Sequence, residues 1–136
     1  MIDIAPESPE QSILLFVKGW MKLLAEGRLV EACALIDEPN SYGIVWTPSS
    51  ICETVSKQFC PDTAFHESQP TAPNFTDPFK LEEQREIEVI EFADGSGYDF
   101  DYQVPLDGEW SDLTAQFEFL KRPQGYAVVL HDLHVL

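Results

Sequence analysis

The sequence predicts an α+β domain whose N-terminal helices pack on a curved antiparallel meander sheet. Apolar residues recur at three- and four-residue spacing through the first part of the chain, then switch to alternation in the last third. The alternating runs are separated by Asp94-Gly95-Ser96-Gly97, by the stretch from Asp107 to Asp112 and by Arg122-Pro123-Gln124-Gly125. Short connections of that composition reverse the chain, so consecutive strands lie side by side and antiparallel.

The first helix opens at Ser8-Pro9-Glu10-Gln11: a capping residue, a proline at the first helical position and a glutamine three residues after the cap. Ile13, Phe16, Val17, Trp20, Leu23 and Leu24 form one apolar stripe, and Gly27 closes the helix. A second, shorter helix turns Leu29, Ala32, Cys33, Leu35 and Ile36 inward until Asp37-Glu38-Pro39-Asn40 breaks it. Tyr42 to Trp46 reads as a brief strand centred on Ile44 and Val45. Thr47-Pro48-Ser49-Ser50 caps a third helix, with Ile51, Val55 and Phe59 four residues apart and Pro61 as its stop. From 60 to 80 the chain carries Pro61, Pro70, Pro73 and Pro78 with little periodicity, an irregular loop unusually long for a compact domain.

Four strands follow, at Glu86 to Phe92, Tyr98 to Leu106, Leu113 to Phe119 and Tyr126 to Val135. The second puts Tyr98, Phe100, Tyr102, Val104 and Leu106 on one face and Asp99, Asp101 and Gln103 on the other. The third sets Leu113, Ala115, Phe117 and Phe119 against Thr114, Gln116 and Glu118. Alternation slips at Val89-Ile90 and Val128-Val129, through a bulge or burial on both faces. A bulge is preferred, because it curves the sheet around the first helix. Phe16, Trp20, Phe100, Tyr102, Phe117 and Phe119 are then expected in one core.

A chain of 136 residues suits one domain, 1–136. Its 24 acidic residues against 8 basic ones give a net charge of −16, which argues against a nucleic-acid backbone or an anionic membrane as partner and points to a basic one. There is neither a charged signal-peptide start nor an apolar run of about 20 residues, so a cytoplasmic location is expected. Cys33, Cys52 and Cys60 are odd in number and form no CxxC pair, which predicts buried free thiols rather than a disulfide or a zinc site. No nucleophile elbow, phosphate-cradling glycine loop or aromatic-basic pattern is present, and no cofactor is expected.

A long first helix, a short second one beginning at EGRLVEACALID, a short strand, a third helix and a long antiparallel meander resemble the nuclear-transport-factor-two-like fold, also called cystatin-like. The resemblance lies in element order across nearly the whole chain. The closing GYAVVLHDLHVL resembles the final strand of small uncharacterised bacterial domains, some of which accompany secreted toxins as immunity proteins. The resemblance implies a cone-shaped architecture with a conical pocket, and often a homodimer through the open sheet face. Asp99, Asp101 and Glu118 on that face oppose such a dimer, so monomer and homodimer both stay open.

Eleven acidic residues lie between Glu82 and Asp112, relieved only by Arg85. Like charges on adjacent strands repel, so this tract is either a solvated face or a docking surface for a basic protein. Docking assigns partner contact to Glu88, Asp99, Asp101 and Glu118, with Trp110 at a hairpin tip as anchor; Trp110 folded back over the sheet is the other placement. The Asp99-Phe100-Asp101 pair lacks the glycine and terminal glutamate of an EF-hand loop, which disfavours calcium. Strand alternation sends His131 and His134 to opposite faces, where they share no metal. Asp132 and His134 share a face, and there an Asp orients an imidazole for general-base work. The leading expectation is a non-enzymatic binding protein, an immunity protein neutralising a basic toxin domain or other cationic partner. The alternative is an isomerase- or dehydratase-like enzyme, or a small-molecule binder, with Asp132 and His134 as its acid–base pair and Tyr98 and Tyr102 lining the pocket.

Overall fold

The computed structural model describes residues 1–59, 74–82 and 87–135, the side chains of 58 and 59 apart. Among these residues three helices, α1 (Pro9–Ala25), α2 (Leu29–Ala34) and α3 (Pro48–Phe59), precede a 3-10 turn at Pro78–Lys80 and four strands. The strands are β1 (Val89–Glu91), β2 (Gly97–Leu106), β3 (Glu109–Arg122) and β4 (Gly125–Val135). They form an open antiparallel sheet in sequence order.

The apolar stripe of α1 buries Ile13, Val17, Trp20, Met21 and Leu24, with Phe16 and Leu23 half-buried beside them. Gly27, at φ +75°, lets the chain turn back sharply: its N–H reaches Leu24 O at 3.1 Å and that of Arg28 reaches Leu23 O at 2.9 Å. Those two bonds satisfy carbonyls that the helix end leaves open. At the other end the Ser8 side chain makes no capping bond, contrary to expectation. Pro9 already removes one orphan N–H, and the Ser12 hydroxyl instead accepts from Ala5 N at 3.1 Å. In α3 the expected cap forms reciprocally: Ser50 N donates to Thr47 Oγ1 at 3.1 Å and Thr47 N to Ser50 Oγ at 2.8 Å.

The helices cover one sheet face. Trp20 meets Phe117 edge-on at 5.1 Å between centroids, Phe16 meets Phe119 at 5.9 Å, and Phe117 stacks on Phe119. Phe100, Tyr102, Val128 and Leu130 complete this layer, and Ile51 and Val55 of α3 belong to the same core. The alternation expected for β2 and β3 holds through Val104 and Phe119 respectively.

Several local expectations are corrected. Tyr42 to Trp46 is not a strand; the Asn40 side chain accepts from Tyr42 N and Ile44 N, both at 3.0 Å, and so supplies the pairing that a strand would need. Leu35 is exposed, because α2 ends at Ala34, whereas Leu29, Cys33 and Ile36 pack against the core as expected. The slip at Val128-Val129 is burial on both faces, and β1 pairs with β2 without a slip. The bulge lies further on, at His131: Gln116 pairs with Asp132 and Phe117 with Leu130, leaving one extra residue on β4. A second irregularity falls between Gln103 and Pro105, opposite Trp110 to Thr114. The turn expected from Asp107 to Asp112 is only Asp107-Gly108, both at positive φ (51° and 87°), a two-residue hairpin whose twist matches the strands. Cys33 is half-buried, whereas Cys52 is exposed on α3; Cys60 and residues 61–73 of the proline-rich loop lie outside the described residues. Among the described residues no helix is long and apolar enough to cross a membrane.

Among the described residues the outer edge of β4 has no neighbouring strand and is closed piecemeal. Ile2 and Tyr126 exchange backbone hydrogen bonds at 3.0 and 2.8 Å. Asp37 N donates to Val128 O, and its Oδ2 accepts from Val128 N, both at 2.8 Å. Trp46 Nε1 donates to Leu130 O at 2.8 Å and Asn40 Nδ2 to His131 O at 3.0 Å. An open edge would otherwise template pairing with another chain.

Candidate functional site

On the sheet face away from the helices, alternation delivers Asp99 and Asp101 from β2 and Glu118 from β3, with Glu88 just ahead of β1. Asp99 stands directly across from Glu118 on one side and from Ile90 on the other. Glu88, Ile90, Asp99 and Asp101 line a shallow depression of about 220 Å³. Four of the five expected partner-binding residues are thus brought together.

The cluster is electrostatically uneasy. Burial first, and then the charges of Asp101 and Glu118, push the Asp99 carboxyl above the usual aspartate range, with His131 pulling the other way. Of the eleven acidic residues counted along the chain, the rest disperse or lie outside the described residues. In the β1–β2 turn the Ser96 side chain, and then Ser96 N at 2.9 Å, hydrogen-bond to Asp94 and lower its pKa, and Asp107 accepts from Asn74 N at 3.1 Å. Density along the chain did not translate into density in space.

The fifth residue, Trp110, is elsewhere. It lies within β3 opposite Pro105, edge-on to Tyr102 at 5.5 Å, and its Nε1 donates to Glu82 O at 2.9 Å. It therefore sits on the helix-covered side, folded back rather than raised at a tip. Tyr102 is a core side chain stacked on Phe100, while Tyr98 is half-buried against Tyr126. Burial, helped by Glu91 and Tyr126, raises the Tyr98 pKa.

The bulge at His131 reverses one expectation. Leu130 and Leu133 are both in the core, so the two residues between them turn outward together. His131 and His134 consequently share the outer face instead of opposing one another. His131 Nδ1 is 3.5 Å from Glu118 Oε1, and His134 Nδ1 is 2.9 Å from Asp132 Oδ2, neither aligned as a hydrogen bond. The Asp132–His134 pair expected from the sequence is present at the solvent surface. Among the described residues no three His, Cys, Asp or Glu side chains converge as a metal site requires.

Sequence reasoning missed two contributors. His131 joins the acidic cluster only because of the bulge. Tyr42 lies with its ring 5.8 Å from that imidazole, at the border of the same face. A short aromatic and β-branched run was the available signal at Tyr42, and it suggested a strand.

A family model described as a domain of unknown function, DUF7668, matches residues 64–136, which include the whole sheet and none of the three helices. No curated protein and no solved structure matches the chain.

Proposed function

We propose that this chain, which belongs to the DUF7668 family, is a non-enzymatic binding protein whose outer sheet face docks a basic protein, as an immunity protein docks the toxin it neutralises. One observation carries this reading: Asp99, Asp101 and Glu118 are held on adjacent strands with Glu88 beside them, where burial first, and then the charges of Asp101 and Glu118, hinder the ionisation of Asp99. Side-by-side carboxylates work against folding. A solvated surface gains nothing from such clustering, whereas a cationic partner relieves the repulsion and is steered toward it. The order of helices followed by a four-stranded meander supports treating the fold as a variant of the cystatin-like cone. Asp132 and His134 favour this reading over catalysis, since both are only half-buried on the outer sheet face and an acid–base pair needs a water-excluding pocket.

The test is association kinetics with basic proteins encoded beside this one. Association with the cognate partner slows as salt rises, because the screening length is already only about 8 Å at physiological ionic strength. Asp99→Asn with Asp101→Asn slows it at low salt and flattens the salt dependence. A cognate partner whose association ignores both salt and the two substitutions would sink the proposal.

A further inference from the structure

Ten large hydrophobic side chains are exposed among the described residues, and most stand singly, as is normal for a soluble surface. The exception is the loop between α2 and α3, where Tyr42 (74% exposed), Ile44 and Val45 (71%) fall within four residues. This loop is held in place. Asn40, only 6% exposed, binds Tyr42 N and Ile44 N with its oxygen and His131 O with its nitrogen, while Trp46 is buried and bonded to Leu130 O. Both ends of the loop are therefore fastened to β4 while its apolar side chains face solvent. A fixed apolar tip binds without the cost of ordering a flexible segment.

Its position supplies the chemistry of the partner. The Tyr42 ring lies against His131, and His131 lies against Glu118, so the tip is continuous with the carboxylate cluster. We infer that the Tyr42–Val45 loop is the apolar anchor of the proposed interface and receives a basic protein surface that carries an apolar side chain beside its cations. The inference rests on the docking function proposed above. Charge complementarity selects a basic occupant over a second copy of the chain, since two copies would bring two sets of −16 together. Interfaces of this kind depend on an aromatic anchor near a polar rim, the role that the sequence had suggested for Trp110.

Two synthetic peptides serve as probes: one alternates cationic residues with leucine and tryptophan, and the other has serine in place of both apolar residues. Binding is followed by nuclear magnetic resonance titration of the full chain. The apolar-bearing peptide binds the native protein about fivefold tighter than the serine peptide, a difference of about 1 kcal/mol. Tyr42→Ala, and separately Val45→Ser, erase that advantage and leave the serine peptide unaffected. Both side chains are exposed, so the amide spectrum should report an unchanged fold. Asp99→Asn with Asp101→Asn weakens both peptides. Equal binding of the two peptides, or an advantage that survives both loop variants, overturns the anchor while leaving the charge-based reading intact. Indifference of both peptides to the Asp substitutions, or no binding of either at about 1 mM, overturns that reading and the anchor with it. Self-association at high salt that Tyr42→Ala abolishes assigns the loop to a second copy and likewise overturns the inference.

Discussion

On the helix-covered face of the sheet, Phe100, Phe117, Phe119, Val128 and Leu130 are closed to solvent, the phenylalanine rings edge-on to or stacked on aromatic neighbours; on the reverse of the same strands stand Asp99, Asp101, Glu118 and Asp132. Both faces come from one alternating pattern, and a slip of one residue would exchange them. The first face accounts for the fold. The second works partly against it, because its carboxylates repel and part of one is buried. A feature that folding does not require, and slightly opposes, is where function is best sought.

The comparison breaks most decisively at Phe117. With its side chain fully buried between Trp20 and Phe119, Phe117→Ala is expected to lower unfolding free energy by about 3–5 kcal/mol in urea titration. A loss under about half a kilocalorie per mole, on that same scale, would mean that the two faces are wrongly assigned. At the boundary between faces, Asn40→Ala removes three hydrogen bonds that fix the loop to β4. The expected cost is about 1–3 kcal/mol, and hydrogen exchange should accelerate at Tyr42 and Ile44 while Phe117 stays protected.

On the acidic face the sign reverses. Asp99→Asn is expected to leave the protein equally stable or up to about 1 kcal/mol more stable at neutral pH, because it removes a partly buried charge and relieves repulsion with Asp101 and Glu118. The smallest effect is its pH dependence. Asp99 takes up its proton at higher pH folded than unfolded, where the value is about 3.9. Between the two values the folded state holds the extra proton, so the Asp99 contribution stabilises as pH falls through the raised value and is lost as pH rises through it. The advantage of Asp99→Asn should therefore be full above the raised value and shrink on acidification. Equal urea midpoints at every pH would indicate that the carboxyl is no more hindered than a free one.

What was legible in the sequence was periodic. The α1 stripe and the alternation of β2 and β3 follow from side-chain geometry alone, and they placed Asp99, Asp101 and Glu118 on one face. What was illegible depended on partners distant in the chain. The bulge at His131 exists only relative to β3, so the sequence could not say that His131 and His134 share a face. The run from Tyr42 to Trp46 has strand composition, yet Asn40 and β4 supply its hydrogen bonds from outside. Trp110 was displaced from the turn because Asp107-Gly108 completes the reversal in two residues.

The piecemeal closure of β4 has a consequence in the order of synthesis. Ile2, Asp37, Asn40 and Trp46 leave the ribosome long before residues 125–135, so every group that seals this edge is already made when the strand emerges. The last strand of the nascent chain meets β3 on one side and a waiting set of donors and acceptors on the other, and its exposed edge has little time to capture a neighbouring polypeptide. A fragment confined to residues 64–136, the span of the family match, would be born without that seal and would pair edge to edge with its own copies.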